Sequence, residues 1–71
     1  MKGVKTMKRC RLVPKSGEGA VWYCRTKEIF KKYATAYSLD GFETRIRMDD
    51  YRIEDATYDK RVAKMLATKP Q

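Results

Sequence analysis

The chain has 71 residues, with 17 Lys or Arg against nine Asp or Glu, no His, two Cys and a formal net charge of +8. A chain this short forms one domain and buries only about 60 % of its unfolded surface, so a deep pocket would compete with the core for material. It has no His, and its serines, Ser16 and Ser38, sit in turn-like contexts; nucleophile–base pairs are lacking and the chain reads as a non-enzyme.

The charge is uneven. Residues 1–35 carry ten basic and two acidic side chains and residues 36–71 carry seven of each, so the whole excess lies in the first half. A basic half favours polyanions: nucleic acid, an anionic membrane surface or an acidic protein partner. No apolar run is long enough to cross a bilayer, and "MKGVKTMKR" lacks the apolar region of a secretory signal. Residues 1–7 read as a flexible basic arm in which Met7 offers a second start. Residues 8–69 read as the single domain. The expected compartment is the cytoplasm, where thiols stay reduced.

The first element is a β-hairpin. "KRCRLVP" and "AVWYCR" alternate in period two, and "KSGEG" between them supplies turn chemistry. A loop centred on Gly17 pairs Leu12 with Trp22 and Cys10 with Cys24. Arg9, Arg11, Tyr23 and Arg25 then share the other face.

Residues 27–38 admit two readings. Ile29, Phe30, Tyr33, Ala34 and Tyr37 follow a helix face, with Thr26 as N-cap and Gly41 ending the connection. Asp40-Gly41 is also a hairpin signal, and Tyr33, Thr35, Tyr37 and Leu39 alternate as a strand would. The helix is the reading taken, because the adjacent pairs Ile29-Phe30 and Lys31-Lys32 break a strand pattern. In it Phe30, Tyr33 and Tyr37 are a core stripe. Residues 42–48 and 51–54 return to period two, and Asp49-Asp50 reads as the loop of a second hairpin that sets Arg47 opposite Arg52. "DATYDKRVAKMLATK" is a C-terminal helix with Asp55 or Thr57 as cap and Tyr58, Val62, Met65 and Leu66 as its apolar stripe.

The resulting order, β-β-α-β-β-α, implies an α+β two-layer sandwich: an antiparallel sheet with two helices on one face, a permuted ferredoxin-like arrangement. The strand reading of residues 27–38 gives a small β-barrel with a C-terminal helix instead.

In the sandwich, Arg9, Arg11, Arg25, Arg45, Arg47 and Arg52 share an open sheet face with Tyr23. Arg suits bidentate phosphate contacts and Tyr23 suits base stacking, a layout similar to that of RNA-recognition domains, whose aromatic consensus is absent. The expected function is a small basic nucleic-acid-binding protein, largely without sequence specificity. The competing account is a solvated sheet face whose arginines pair with Glu43 and Glu54. Cys10 and Cys24 read as reduced thiols, with a cross-strand disulfide as the other option. With no His and no C-x-x-C, no metal site is expected. The clustered Asp49, Asp50, Glu54 and Asp55 read as a turn and a helix cap. No cofactor and no small-molecule substrate are expected, and a homodimer is compatible with the pattern.

The strand–strand–helix–strand order over residues 8–48, with "GFETRIR" after a Thr-capped helix, resembles the small phage-encoded inhibitors of bacterial RNA polymerase. That resemblance implies a second function: a host-directed inhibitor whose basic face occupies the acidic groove of a nucleic-acid-processing protein, or whose sheet edge adds a strand to that protein's sheet. No residue roles carry over from it.

Overall fold

The computed structural model describes residues 7–69. Two glycines shape the first turn: Gly17 and Gly19 take φ of 82° and 102°, a region that costs other residues a Cβ clash. The Gly17 N–H donates to the Pro14 carbonyl, and the Glu18 N–H donates to Ser16 Oγ. β1 (Arg9–Pro14) and β2 (Trp22–Arg25) consequently pair antiparallel, with Cys10 opposite Cys24 and Leu12 opposite Trp22.

The helix expected over residues 27–38 is not formed. A 3-10 turn over Thr26–Glu28 and an isolated bridge between Ile29 and Ala34 lead into β3 (Tyr33–Tyr37). Ile29 sits in that isolated bridge and Lys31-Lys32 in a bend, so the adjacent pairs Ile29-Phe30 and Lys31-Lys32 lie before the strand and never had to obey its alternation. Within Tyr33–Tyr37 the aromatic and β-branched side chains favour a pleated backbone. Gly41, at φ 92°, closes the return, its N–H donating to the Ser38 carbonyl, and β4 (Glu43–Arg47) pairs with β3.

Asp49-Asp50 is not a hairpin loop either. Met48–Asp50 is a 3-10 turn that carries the chain across to β5 (Tyr51–Asp55), which pairs with β1 and not with β4. Arg47 therefore lies opposite Tyr33 and Arg52 opposite Val13, and the Arg47–Arg52 pair does not exist.

The sheet order is β4-β3-β2-β1-β5. β4 and β5 thus occupy opposite edges, about 19 Å apart in a flat sheet of this width. The turn that joins them has three residues and spans only about 6 Å. The sheet must curl to bring those strand ends together. Its concave face carries Cys10, Leu12, Cys24, Ala34, Ala36 and Ile46, closed off by Met7, Trp22, Ile29, Met48 and Tyr51. Four of the six buried residues are Cys or Ala, and small side chains are what a tightly curled interior accepts. The curl buries the apolar face that two helices were expected to cover.

Among the described residues, the β-β-α-β-β-α sandwich with two helices gives way to a five-stranded antiparallel sheet with one helix, α1 (Lys60–Ala67). The strand–strand–helix–strand order behind the likeness to phage inhibitors is absent as well. Asp59 caps α1, its Oδ1 accepting from the N–H groups of Arg61 and Val62, while Asp55 Oδ1 accepts from the Thr57 N–H in the preceding turn. The helix therefore begins later than expected, and Tyr58 is left 84 % exposed outside the apolar stripe. Val62, Met65 and Leu66 pack with Ala56 on Tyr37 and Tyr23, on the convex side of the sheet.

Of the basic arm expected over residues 1–7, residues 1–6 lie outside the described residues. Met7 packs against the core.

Candidate nucleic-acid interface

The register puts all six sheet arginines on one face. Arg9 pairs with Arg25 and Arg11 with Tyr23; Tyr23 pairs with Tyr37, Arg11 with Glu54 and Val13 with Arg52; Arg45 and Arg47 pair with Thr35 and Tyr33. Directly opposed residues point the same way, so this is a single convex face. It is not open. The segment from Ala56 through α1 lies across half of it, and that half uses its cations for structure.

Arg25 is 7 % exposed. Its guanidinium donates to Glu28 Oε1 at 2.9 Å and to the carbonyls of Leu66 and Lys69, both at 2.7 Å, which ties β2 to the C-terminal end of α1. Arg9 Nη2 donates to the Thr57 carbonyl, and its Nε is buried without a partner among the described residues. Tyr23 is half-buried against the Tyr37–Leu66 cluster, so it presents no platform for a base. Arg11 donates to Glu54 Oε1 at 3.2 Å and lies 3.8 Å from Asp59 Oδ2. Arg52 donates to Glu54 Oε2 at 2.7 Å. Hydrogen bonds from Arg52 and then Arg11 hold the Glu54 carboxyl below the usual range, and the Glu54 bond raises the Arg11 value. Around Glu54, Arg11 and Arg52 are paired with a carboxylate of their own face.

Arg45 and Arg47 are different. Both are exposed on edge strand β4. The Arg45 guanidinium sits 4.7 Å from the centroid of the Tyr33 ring, and Phe30 packs beside Tyr33 at 5.0 Å with the rings tilted by 34°. Phe30 is 45 % exposed. Lys31, Lys32, Tyr33, Arg47 and Asp49 line an open cleft of about 520 Å³. Among the described residues, Lys31, Lys32 and Arg45 make no ion pair, and Arg47 has only Asp49 at 3.6 Å, an exposed contact worth little.

The structure therefore gathers two of the seven expected site residues, Arg45 and Arg47, with four that were not expected: Phe30, Lys31, Lys32 and Tyr33. The helix reading of the sequence puts Phe30 and Tyr33 on a buried stripe. The signal for them was "FKKY" itself, two lysines bracketed by two aromatics, a composition suited to phosphates and bases together.

The remaining constellations are accounted for by the fold. Asp55 is held below the usual carboxylate range by hydrogen bonds from the Thr57 side chain and backbone. Among the described residues no three His, Cys, Asp or Glu side chains cluster for a metal ion. Cys10 and Cys24 are free and fully buried. The proximity of the two thiols pulls Cys10 down, helped by Thr26, and together with burial pushes Cys24 up. No helix among the described residues is long and apolar enough to cross a membrane. Comparison with protein-family models, with curated proteins and with solved structures finds no match for this chain.

Proposed function

We propose that this protein is a small nucleic-acid-binding protein that holds phosphates, largely without reading sequence, through the patch formed by residues 30–33 and 45–47. The observation that carries this is the Arg45–Tyr33–Phe30 stack set among Lys31, Lys32 and Arg47. Lys31, Lys32 and Arg47 line a cleft with Tyr33 and Asp49, Arg45 lies over the Tyr33 ring, and Phe30 packs beside it. Elsewhere on the same face the arginines already serve carboxylates and carbonyls. The net charge of +8 adds long-range attraction to a polyanion and speeds encounter.

Phosphate binding has a quantitative signature in salt. Each neutralised phosphate adds about −0.7 to −0.9 to the slope of log K against log salt. Three to four contacts predict a loss of roughly 20- to 150-fold between about 50 and about 200 mM salt. Fluorescence anisotropy of a labelled mixed-sequence oligonucleotide across that range measures it. Absence of binding at the low-salt end refutes the proposal.

A further inference from the structure

We infer that the patch takes unpaired, single-stranded nucleic acid, with one base laid on the exposed Phe30 ring, which Tyr33 backs, and the neighbouring phosphates on Lys31, Lys32 and Arg47; this rests on the function proposed above. Phosphates alone would ask only for cations, and a duplex presents its phosphates to any basic surface while hiding the faces of its bases. An aromatic pair at the centre of such a surface contributes only when bases are free to stack.

Three features make the pair a ready site. First, Phe30 is left 45 % exposed although a core was available, so its ring area is in water until something covers it. Second, Tyr33 is fixed before any ligand arrives: Arg45 lies over its ring, Phe30 packs beside it, and its backbone is held in the β3–β4 ladder opposite Arg47. A platform ordered in advance avoids the ordering cost that weakens flexible sites. Third, the cleft of about 520 Å³ along Lys31, Lys32, Tyr33 and Arg47 has the size of a small-ligand site, enough for one nucleotide. Asp49, the acid in that cleft, repels phosphate and is suited to accept from a base amino group, so the charges in the cleft are sorted rather than uniform.

Stacking tolerates every base, so this mode agrees with weak sequence preference. The 3-10 turn Met48–Asp50, which anchors Asp49, also hydrogen-bonds back to this region, the Met48 N–H donating to the Lys32 carbonyl at 3.0 Å. That bond ties residues 30–33 to the turn that follows β4.

The test compares single strands and duplexes of equal length and sequence, as DNA and as RNA, at one low salt concentration. The proteins are the unaltered chain, Phe30→Ala, Phe30→Leu and Lys31→Ala/Lys32→Ala, each checked for folding by circular dichroism. The unaltered chain should prefer the single strand. Phe30→Ala should weaken single-strand binding about 5- to 150-fold with its salt slope unchanged and leave duplex binding where it was. Phe30→Leu, which keeps apolar area without the ring, should also lose affinity for the single strand. Lys31→Ala/Lys32→Ala should weaken both forms and flatten the salt slope. Equal binding of the two forms, or no effect of Phe30→Ala, overturns the single-strand inference while salt-sensitive binding keeps the proposed function standing. No binding of either form overturns both.

Discussion

Replacing Arg25 tests whether half of the arginine face is structural. The guanidinium is 7 % exposed and makes three short hydrogen bonds, to Glu28 and to the carbonyls of Leu66 and Lys69. Arg25→Ala leaves the Glu28 carboxylate without its partner and both carbonyls unsatisfied. Removing one member of a buried pair costs about 3–5 kcal/mol. The Glu28 side chain is still 19 % exposed, so water can reach it and the lower end applies, about 3 kcal/mol. A chain of this length has a total stability of about 4–10 kcal/mol, so the variant should lie near the edge of folding. Arg25→Lys offers three donors on a compact ammonium that cannot span all three acceptors, and about half the loss is expected, on the order of 1–2 kcal/mol. Arg47→Ala, whose side chain is 77 % exposed, should cost less than about 0.5 kcal/mol. Guanidinium denaturation followed by circular dichroism gives all three by linear extrapolation. Equal stability of Arg25→Ala and Arg47→Ala would refute the division of the arginines into structural and free groups.

Two other outcomes follow from the fold. Asp59→Ala removes the acceptor for the Arg61 and Val62 N–H groups and should cost about 1 kcal/mol by the same denaturation assay, whereas Asp59→Ser should cost much less. Glu54 and Asp55 have folded values below their unfolded ones, so each stabilises the fold above the unfolded value and the effect is lost as pH falls. The thermal midpoint should therefore decline as pH drops through about 4, and Glu54→Gln with Asp55→Asn should flatten that decline.

Local pattern carried part of this structure. The glycine-bearing loop at "KSGEG" and the alternation on either side determine the β1–β2 register, because turn length and period two leave no freedom there. The same parity puts six arginines on one face. What parity cannot say is which face a helix will cover. Here the apolar face buries itself by curling, and α1 packs over Tyr23, Tyr37 and Arg25 on the side that looked solvated. Residues 27–38 fit both periods, and the choice was made by pairing with β4, a contact outside the segment. Asp49-Asp50 reads locally as a hairpin loop, yet a three-residue turn between opposite sheet edges has the same composition, and only the partner of β5 distinguishes them. The candidate site moved for the same reason. Once Tyr33 lies in a strand opposite Arg47, "FKKY" leaves the core and meets the exposed arginines of β4.

The most direct measurement of the central claim is an ¹⁵N-edited NMR titration of the folded chain with a short single-stranded oligonucleotide at low salt. The backbone and side-chain signals of residues 30–33 and 45–47 should shift progressively, and those of Arg9, Tyr23 and Arg25 should stay in place. Shifts centred on the face around Arg9, Arg11 and Tyr23, or none at all, would contradict the account.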